Sequence, residues 1–441
     1  MNIYLKIIIY IYIMSIKVNI DSISDDKRIK IDKELTIKIE NKSNFIPDKT
    51  IIPYDIIDEN IYLPFAYANE NDFLRPNRKN FPSMNVKFEG KLRDEQKIVK
   101  KDAIEYLNKT GSIIISLYTG AGKTITSINL ATTIKLKTLV IVNKIVLMNQ
   151  WEESILSFCP SALVQKLTTK SRLKDDCDFY IMNAINIEKM GRKFFKNIGL
   201  VICDEVHLIL ADTLSRSLQY LCPRYLIGLS ATPYRPDGLN ILLDFYFGKN
   251  KIIKEMYREH IVYKVKTELT PNMELTENGK VNWNSVLKSQ SEDEDRNNLI
   301  INIVKHFSDR NFLVLTKRVT QAKYIYNQLL KSGQNVTSLI GTQQEFDRDA
   351  RILVGITNKC GTGFDFPKLN ALILCSDLKE FFIQSLGRIF RTKDTIPIVF
   401  DLLDNNPILF RHYMERRNVY LKHGGKIVDF NKKFPEFFKY K

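Results

Sequence analysis

Ile113-Ile114-Ile115-Ser116-Leu117-Tyr118-Thr119-Gly120-Ala121-Gly122-Lys123-Thr124 carries the chain from an apolar run through two glycines into a helix predicted to pass Ile128 and Ala131. A short run of Ile and Leu bounded by a turn is what a strand buried on both faces of a parallel sheet requires. Gly120 and Gly122 allow backbone N–H groups to curl around phosphate oxygens at the N-terminus of that helix, where the peptide dipoles favour negative charge. Lys123 adds a full positive charge, the Thr124 hydroxyl can ligate magnesium, and Thr119 and Ala121 complete the loop. The pattern departs from the general P-loop at Leu117, which stands where Gly or Ala is usual. A Gly-rich turn that binds nothing is a poor alternative for Gly-x-Gly-Lys-Thr between a strand and a helix.

Further apolar runs lie at 139–142, 200–203, 226–229, 312–315, 352–356, 372–375 and 398–400, separated by helical patches from Leu92 onward. This alternation predicts an α/β fold of two tandem domains, each a parallel sheet flanked by helices. Before it, stretches such as Leu35-Thr36-Ile37-Lys38-Ile39, punctuated by Pro47, Pro53, Pro64 and Pro76, predict a small accessory region of strands and loops. The acidic segment 289–295 is the best linker candidate, with a helix starting near Arg296. The expected division is an N-terminal accessory region at 1–85, a first domain at 86–260, a linker at 261–298, a second domain at 299–425 and a tail at 426–441. Residues 1–14 are largely apolar with Lys6 as the one charge, yet too short to span a bilayer and without a small-residue cleavage site, so Met14 is an alternative start.

A chain of 441 residues exceeds one ordinary domain, and 44% hydrophobic with 26% charged residues places it among globular proteins rather than disordered ones. The net charge of +16 favours a polyanionic partner through counterion release, against the plainer reading of a solvated Lys-rich surface. None of the six cysteines forms a Cys-x-x-Cys pair and the five histidines show no ligand spacing. That argues for an intracellular protein of reduced, buried thiols, with neither a disulfide framework nor a structural zinc.

The run 200–203 ends in Asp204-Glu205-Val206-His207. Adjacent carboxylates at the end of a strand suit phosphoryl chemistry, Asp204 holding magnesium while Glu205 polarises the attacking water. The tetrapeptide alone is common, and the P-loop upstream is what gives it weight. The run 226–229 leads into Ser230-Ala231-Thr232-Pro233, whose hydroxyls can relay hydrogen bonds away from those carboxylates. In the second half, Gln384, Gly387, Arg388 and Arg391 share one helical face by their i, i+3, i+4, i+7 spacing. Two arginines beside a glutamine and a close-packing glycine fit an arginine-finger helix better than a solvated one.

The series Thr-Gly-Ala-Gly-Lys-Thr, Asp-Glu-Val-His, Ser-Ala-Thr-Pro and Gln-x-x-Gly-Arg-x-x-Arg resembles the DExH-type helicases of superfamily 2 over residues 88–403. Leu92-Arg93-Asp94-Glu95-Gln96 and Gly361-Thr362-Gly363-Phe364-Asp365-Phe366-Pro367 resemble two further family elements. The resemblance implies two RecA-like domains that use ATP with Mg2+ and bind nucleic acid. Carried over by position, it implies catalytic roles for Lys123, Asp204 and Glu205, finger roles for Arg388 and Arg391, and orientation of water or the γ-phosphate by Gln384. It also implies an adenine contact for Gln96, coupling roles for His207, Ser230 and Thr232, and nucleotide sensing by Gly363 and Asp365. Val140-Ile141-Val142-Asn143-Lys144 leading to Gln150-Trp151, with Tyr62-Leu63-Pro64-Phe65-Ala66, Arg75-Pro76 and Asn85-Val86-Lys87-Phe88, resembles the helicases of large cytoplasmic DNA viruses. The poxvirus transcript-release helicases belong to that branch, which implies a place in the host cytoplasm, with the virion as a second location.

Asn143 and Lys144 follow a strand where the family contacts nucleic acid, and Thr316 and Lys317 follow another; a single Lys after a strand is more often a solvated charge. Arg411, Arg416, Arg417, Lys422 and Lys426 form a basic stretch that either binds nucleic acid or solubilises a helix. Three functions remain open: a DNA helicase in viral transcription or replication, working with transcription partners; an RNA helicase; and a motor arm of a nuclease or a scaffold without turnover. Backbone contacts do not separate DNA from RNA. No membrane partner is expected, and the oligomeric state stays open.

Overall fold

The structure is a computed structural model that describes residues 8–10, 15–39, 49–118, 120–209, 220–231, 240–343, 345–360, 366–378, 382–392 and 394–438. It divides into two units, residues 1–117 with 121–254 and residues 118–120 with 255–441.

In the first unit β1 (Ser112–Leu117), β2 (Thr138–Val142), β3 (Val164–Leu167), β4 (Phe179–Asn183), β5 (Leu200–Cys203), β6 (Tyr225–Ser230) and β7 (Lys251–Lys254) make one parallel sheet. Its order is β7-β1-β6-β5-β2-β4-β3. Every residue of β1, β2, β4, β5 and β6 is buried, which is why these runs are continuously apolar instead of alternating. The helix α1 (Asp94–Thr110) stops at Gly111, whose φ of +78° permits the left-handed turn that starts β1.

The region expected as an accessory piece shares the interior of this unit. Strands Ser15–Asn19, Asn60–Pro64 and Asp55–Ile57 pair antiparallel. Ile16, Leu63 and Phe65 lie in the same buried cluster as Leu139, Tyr180 and Phe247. The apolar face of these three short strands is thus covered within the core of the first unit. Arg192 fastens the junction: its guanidinium lies 4.4 Å from the Tyr62 ring and 4.9 Å from the Tyr220 ring, and pairs with Asp55 at 3.3 Å.

The second unit holds a parallel sheet of β8 (His260–Lys266), β9 (Phe312–Thr316), β10 (Val336–Leu339), β11 (Ile352–Ile356), β12 (Ala371–Leu374), β13 (Ile398–Leu403) and β14 (Gly425–Asp429). Its order is β10-β11-β9-β12-β13-β8-β14. Residues 261–298, expected as a linker, belong to this body. They contain most of β8 and the helices α2 (Trp283–Glu292) and the start of α3 (Glu294–His306). The polarity that read as a solvated linker is internal: Gln290 Nε2 and Arg296 Nε, both buried, donate to the two oxygens of Asp404 at 2.6 and 2.8 Å. The expected tail at 426–441 likewise opens within β14, and Phe430 behind it is fully buried against Tyr263 and Phe400.

The basic stretch is corrected at one residue. Arg416, on the helix α4 (Pro407–Lys422), is buried and donates to both oxygens of Asp401 at 2.9 and 2.8 Å and to Asp377 at 2.9 Å. Burial opposes its charge, but the Asp401 and Asp377 carboxylates outweigh burial and raise its pKa. Arg416 is therefore an internal brace, whereas Arg411 is exposed. Cys159, Cys177, Cys203, Cys360 and Cys375 are buried free thiols, and Cys222 is half-buried. No helix among the described residues is long and apolar enough to cross a membrane.

Removing a buried guanidinium strands its carboxylates. Arg416→Ala is expected to destabilise the second unit by about 3–5 kcal/mol, read as a lower denaturant midpoint, and Arg416→Lys to recover only part because it lacks the planar fork.

Candidate active site

The candidate residues of the first unit gather where adjacent parallel strands end. β1 delivers the loop ahead of the helix Lys123–Ile134, β5 delivers Asp204 and Glu205, β6 ends on Ser230, and β2 delivers Asn143 and Lys144. Carboxyl ends of parallel strands form the crevice in which such sheets bind ligands.

Gly120 and Gly122 have φ of +89° and +88°, left-handed values that a side chain resists. A Cβ at Gly122 would stand 2.1 Å from Nε2 of Gln96, so the loop also needs glycine there for close packing. Gln96 is buried and braces the loop: its Nε2 donates to the Ala121 carbonyl at 3.0 Å while its Oε1 accepts the Arg93 N–H at 2.8 Å. Arg93, not singled out from sequence for a role, donates to the same carbonyl at 2.5 Å. Lys123 Nζ lies 3.1 Å from the Leu117 carbonyl, and Thr124 is half-buried in the first turn of its helix. Thr119 lies outside the described residues.

The Asp204 carboxylate accepts the Trp151 indole N–H on Oδ2 at 2.9 Å and the Glu205 N–H on Oδ1 at 3.0 Å. Burial and the neighbouring Glu205 charge raise its pKa, opposed by the Trp151 hydrogen bond and the Lys123 charge. Glu205 itself has a φ of +51°, a left-handed conformation that costs a non-glycine residue roughly 1–2 kcal/mol. Its Oε2 is buried and, among the described residues, accepts no hydrogen bond. It stands 3.5 Å from Nδ1 of His207, and the same nitrogen shares a 2.8 Å hydrogen bond with Oγ of Ser230. The expected coupling residues His207 and Ser230 are thus hydrogen-bonded to each other, with His207 beside the Glu205 carboxylate; Thr232 lies outside the described residues.

Asn143 and Lys144 are half-buried. Burial lowers the Lys144 pKa, and the negative charge of Glu205 opposes that shift.

In the second unit the helix Phe382–Ile389 buries Gln384 and Arg388, and the Oε1 of Gln384 has no hydrogen-bond partner among the described residues. Arg391 follows, half-buried, its pKa lowered by burial. Thr316 is fully buried with its hydroxyl on the Arg318 carbonyl at 3.1 Å, so of that pair only Lys317 presents its side chain to solvent. Gly363 and Asp365 lie outside the described residues. Trp151 is the contact that sequence reading passed over; a buried tryptophan has an N–H that must find an acceptor, and a carboxylate at a strand end was the available one.

A family model described as type III restriction enzyme, res subunit, matches residues 89–235. "Putative helicase 161L" of Invertebrate iridescent virus 6 is 44% identical over 445 residues, covering 95% of this chain and 100% of its own. Transcript termination protein A18 of Yaba-like disease virus is 25% identical over 386 residues, 78% of each chain. Among solved structures, S. cerevisiae Dbp5 bound to RNA and ADP BeF3 matches with a TM-score of 0.57 at 13% identity, over 77% of this chain and 91% of that one, a likeness of fold.

Because the folded state raises the Asp204 pKa, it binds that proton more readily than the unfolded chain does, and this group's contribution to stability falls as pH rises through the raised value. Glu205→Gln removes part of the cause. Its thermal midpoint is expected to exceed the wild type's near neutral pH, with the difference closing in acid as Asp204 takes up its proton; a scan of midpoint against pH checks this.

Proposed function

This chain belongs to the viral superfamily 2 helicases, ATP-driven enzymes that act on nucleic acid, and within that family we propose that it is a DNA helicase of viral transcription, releasing transcripts, or of replication. The observation that carries the reading is the convergence of the P-loop with Asp204, Glu205 and Ser230 at the ends of neighbouring strands β1, β5 and β6. The likeness to a transcript termination protein, over 78% of the chain, supports the transcriptional role and partners in the transcription machinery. Work in the host cytoplasm is part of the same proposal, supported by the likeness to helicases of such viruses.

ATP is bound by backbone N–H groups of the P-loop and by Lys123. Thr124 and Asp204 offer a hydroxyl and a carboxylate oxygen, hard donors that fit Mg2+, and the solvent-shielded Glu205 Oε2 is free to take a hydrogen bond from water. Bound there, the cation neutralises charge on the phosphates. Glu205 orients the attacking water, and Gln96 meets the adenine while holding the loop. From the second domain Arg388 and Arg391 stabilise charge on the transferred phosphoryl group, Gln384 orients water, and Gly363 and Asp365 sense the nucleotide. His207, Ser230 and Thr232 couple hydrolysis to motion, while Asn143, Lys144 and Lys317 hold the nucleic-acid backbone with little base preference, the buried Thr316 hydroxyl being taken by the Arg318 carbonyl.

Hydrolysis by the full chain, alone and with single-stranded DNA, duplex DNA or RNA, tests this. Stimulation by DNA that vanishes in Glu205→Gln is the expected result; stimulation by RNA only makes it an RNA helicase, and no hydrolysis with any of them makes it a scaffold. Arg391→Ala is expected to lower turnover by about 10³–10⁵ with nucleotide affinity retained, since a finger residue acts on the transition state. Raising salt is expected to weaken DNA binding steeply and nucleotide binding little.

A further inference from the structure

Trp151 is 2% exposed, at the middle of the helix Ile145–Phe158, with its indole ring inside the first unit. Its Nε1–H reaches Oδ2 of Asp204 at 2.9 Å, while the Glu205 N–H reaches the other oxygen at 3.0 Å. A carboxylate at the end of a strand can rotate about two side-chain bonds. Held by the backbone donor alone, it would be tied to a residue of its own loop, one already in a left-handed conformation. The indole donor comes from a different element, fifty-three residues away in sequence, and is locked by its own burial. Each oxygen keeps a lone pair after these bonds.

We propose that Trp151 is a positioning residue for Asp204: its N–H fixes the plane of the carboxylate so that the remaining lone pairs face the divalent cation bound with nucleotide. Outer donors of this kind orient metal-ligating carboxylates and set their affinity. The helix that carries the indole begins directly after Asn143 and Lys144, so the residue steadying the cation ligand stands on the element that starts at the expected phosphate contacts. This inference rests on the reading of Asp204 as a cation ligand.

The test is a Mg2+ titration of fluorescent ADP binding to the full chain, for wild type and Trp151→Phe, each with Asp204 and with Asp204→Asn. Phe keeps an aromatic ring but loses the donor together with the five-membered half of the indole, which is why the Asp204→Asn background is needed to separate lost packing from the lost hydrogen bond. Trp151→Phe is expected to raise the Mg2+ concentration for half-maximal binding by about 10–100-fold when Asp204 is present, to add nothing when Asp204→Asn is already there, and to leave Mg2+-free ADP binding unchanged. Equal shifts in both backgrounds, or wild-type Mg2+ dependence in Trp151→Phe, overturn it, because a ring that only packs would act without regard to Asp204. The second measurement leaves Trp151 intact. The sequence has two tryptophans, and Trp283→Phe makes Trp151 the sole reporter. Addition of Mg2+ to the ADP complex is expected to change its emission, and ADP with EDTA is not; silence on Mg2+ overturns the proposal. If the wild type shows no Mg2+-dependent nucleotide binding, the reading of Asp204 falls and this one with it, whereas Mg2+ dependence with no effect at Trp151 removes only the positioning role.

Discussion

A parallel sheet covered on both faces leaves polar chemistry one place to stand, the carboxyl ends of its strands. In the first unit every residue of β1, β2, β5 and β6 is buried, and the residues with chemistry stand at or just beyond their ends: the P-loop, Asn143 and Lys144, Asp204 and Glu205, and Ser230, the last residue of β6, with its histidine partner. Strand neighbourhood then decides who touches whom. β6 lies between β1 and β5, so the serine that ends it stands between the phosphate loop and the carboxylates.

The second sheet meets the same constraint differently. Asp401, within β13, Asp404, just past its end, and Asp377, shortly past β12, are carboxylates under cover, and each is met by a buried cation or donor from a helix. Arg296 and Gln290 serve Asp404, and Arg416 bridges Asp401 and Asp377. His412 adds a 2.6 Å contact to Asp377. Charges held this way tie α3 and α4 to the ends of the strands, on the approach to the helix that carries Gln384 and Arg388.

What could be read from sequence follows the same physics. Burial on both faces demands unbroken apolar runs, and each of the eight runs picked out beforehand is a strand within a residue or a few of its expected ends. The P-loop and the Asp204-Glu205 pair were legible because their chemistry tolerates few residue types at that spacing. Polar residues that work inside the protein were not legible. Gln290 and Arg296 read as linker, and Arg416 as a surface charge, because a side chain does not announce that its partner is a buried aspartate more than a hundred residues away or only fifteen. Short strands such as Gly425–Asp429 offer too little pattern to be seen before their neighbours are known. Trp151 belongs to the same class, since its role depends on which acceptor the fold brings to its N–H.

The shared interior of the first unit has a consequence for ancestry. Leu63 and Phe65 close the same cluster as Leu139 and Tyr180, so the opening stretch is no appendage that a lineage can trade for another. Substitutions there survive only in step with changes in the sheet they press upon, and an exchange of segments between related genomes that breaks near residue 85 would pair an interior with half of someone else's. The seam that inheritance can respect lies between residues 254 and 255, where one core ends and the next begins.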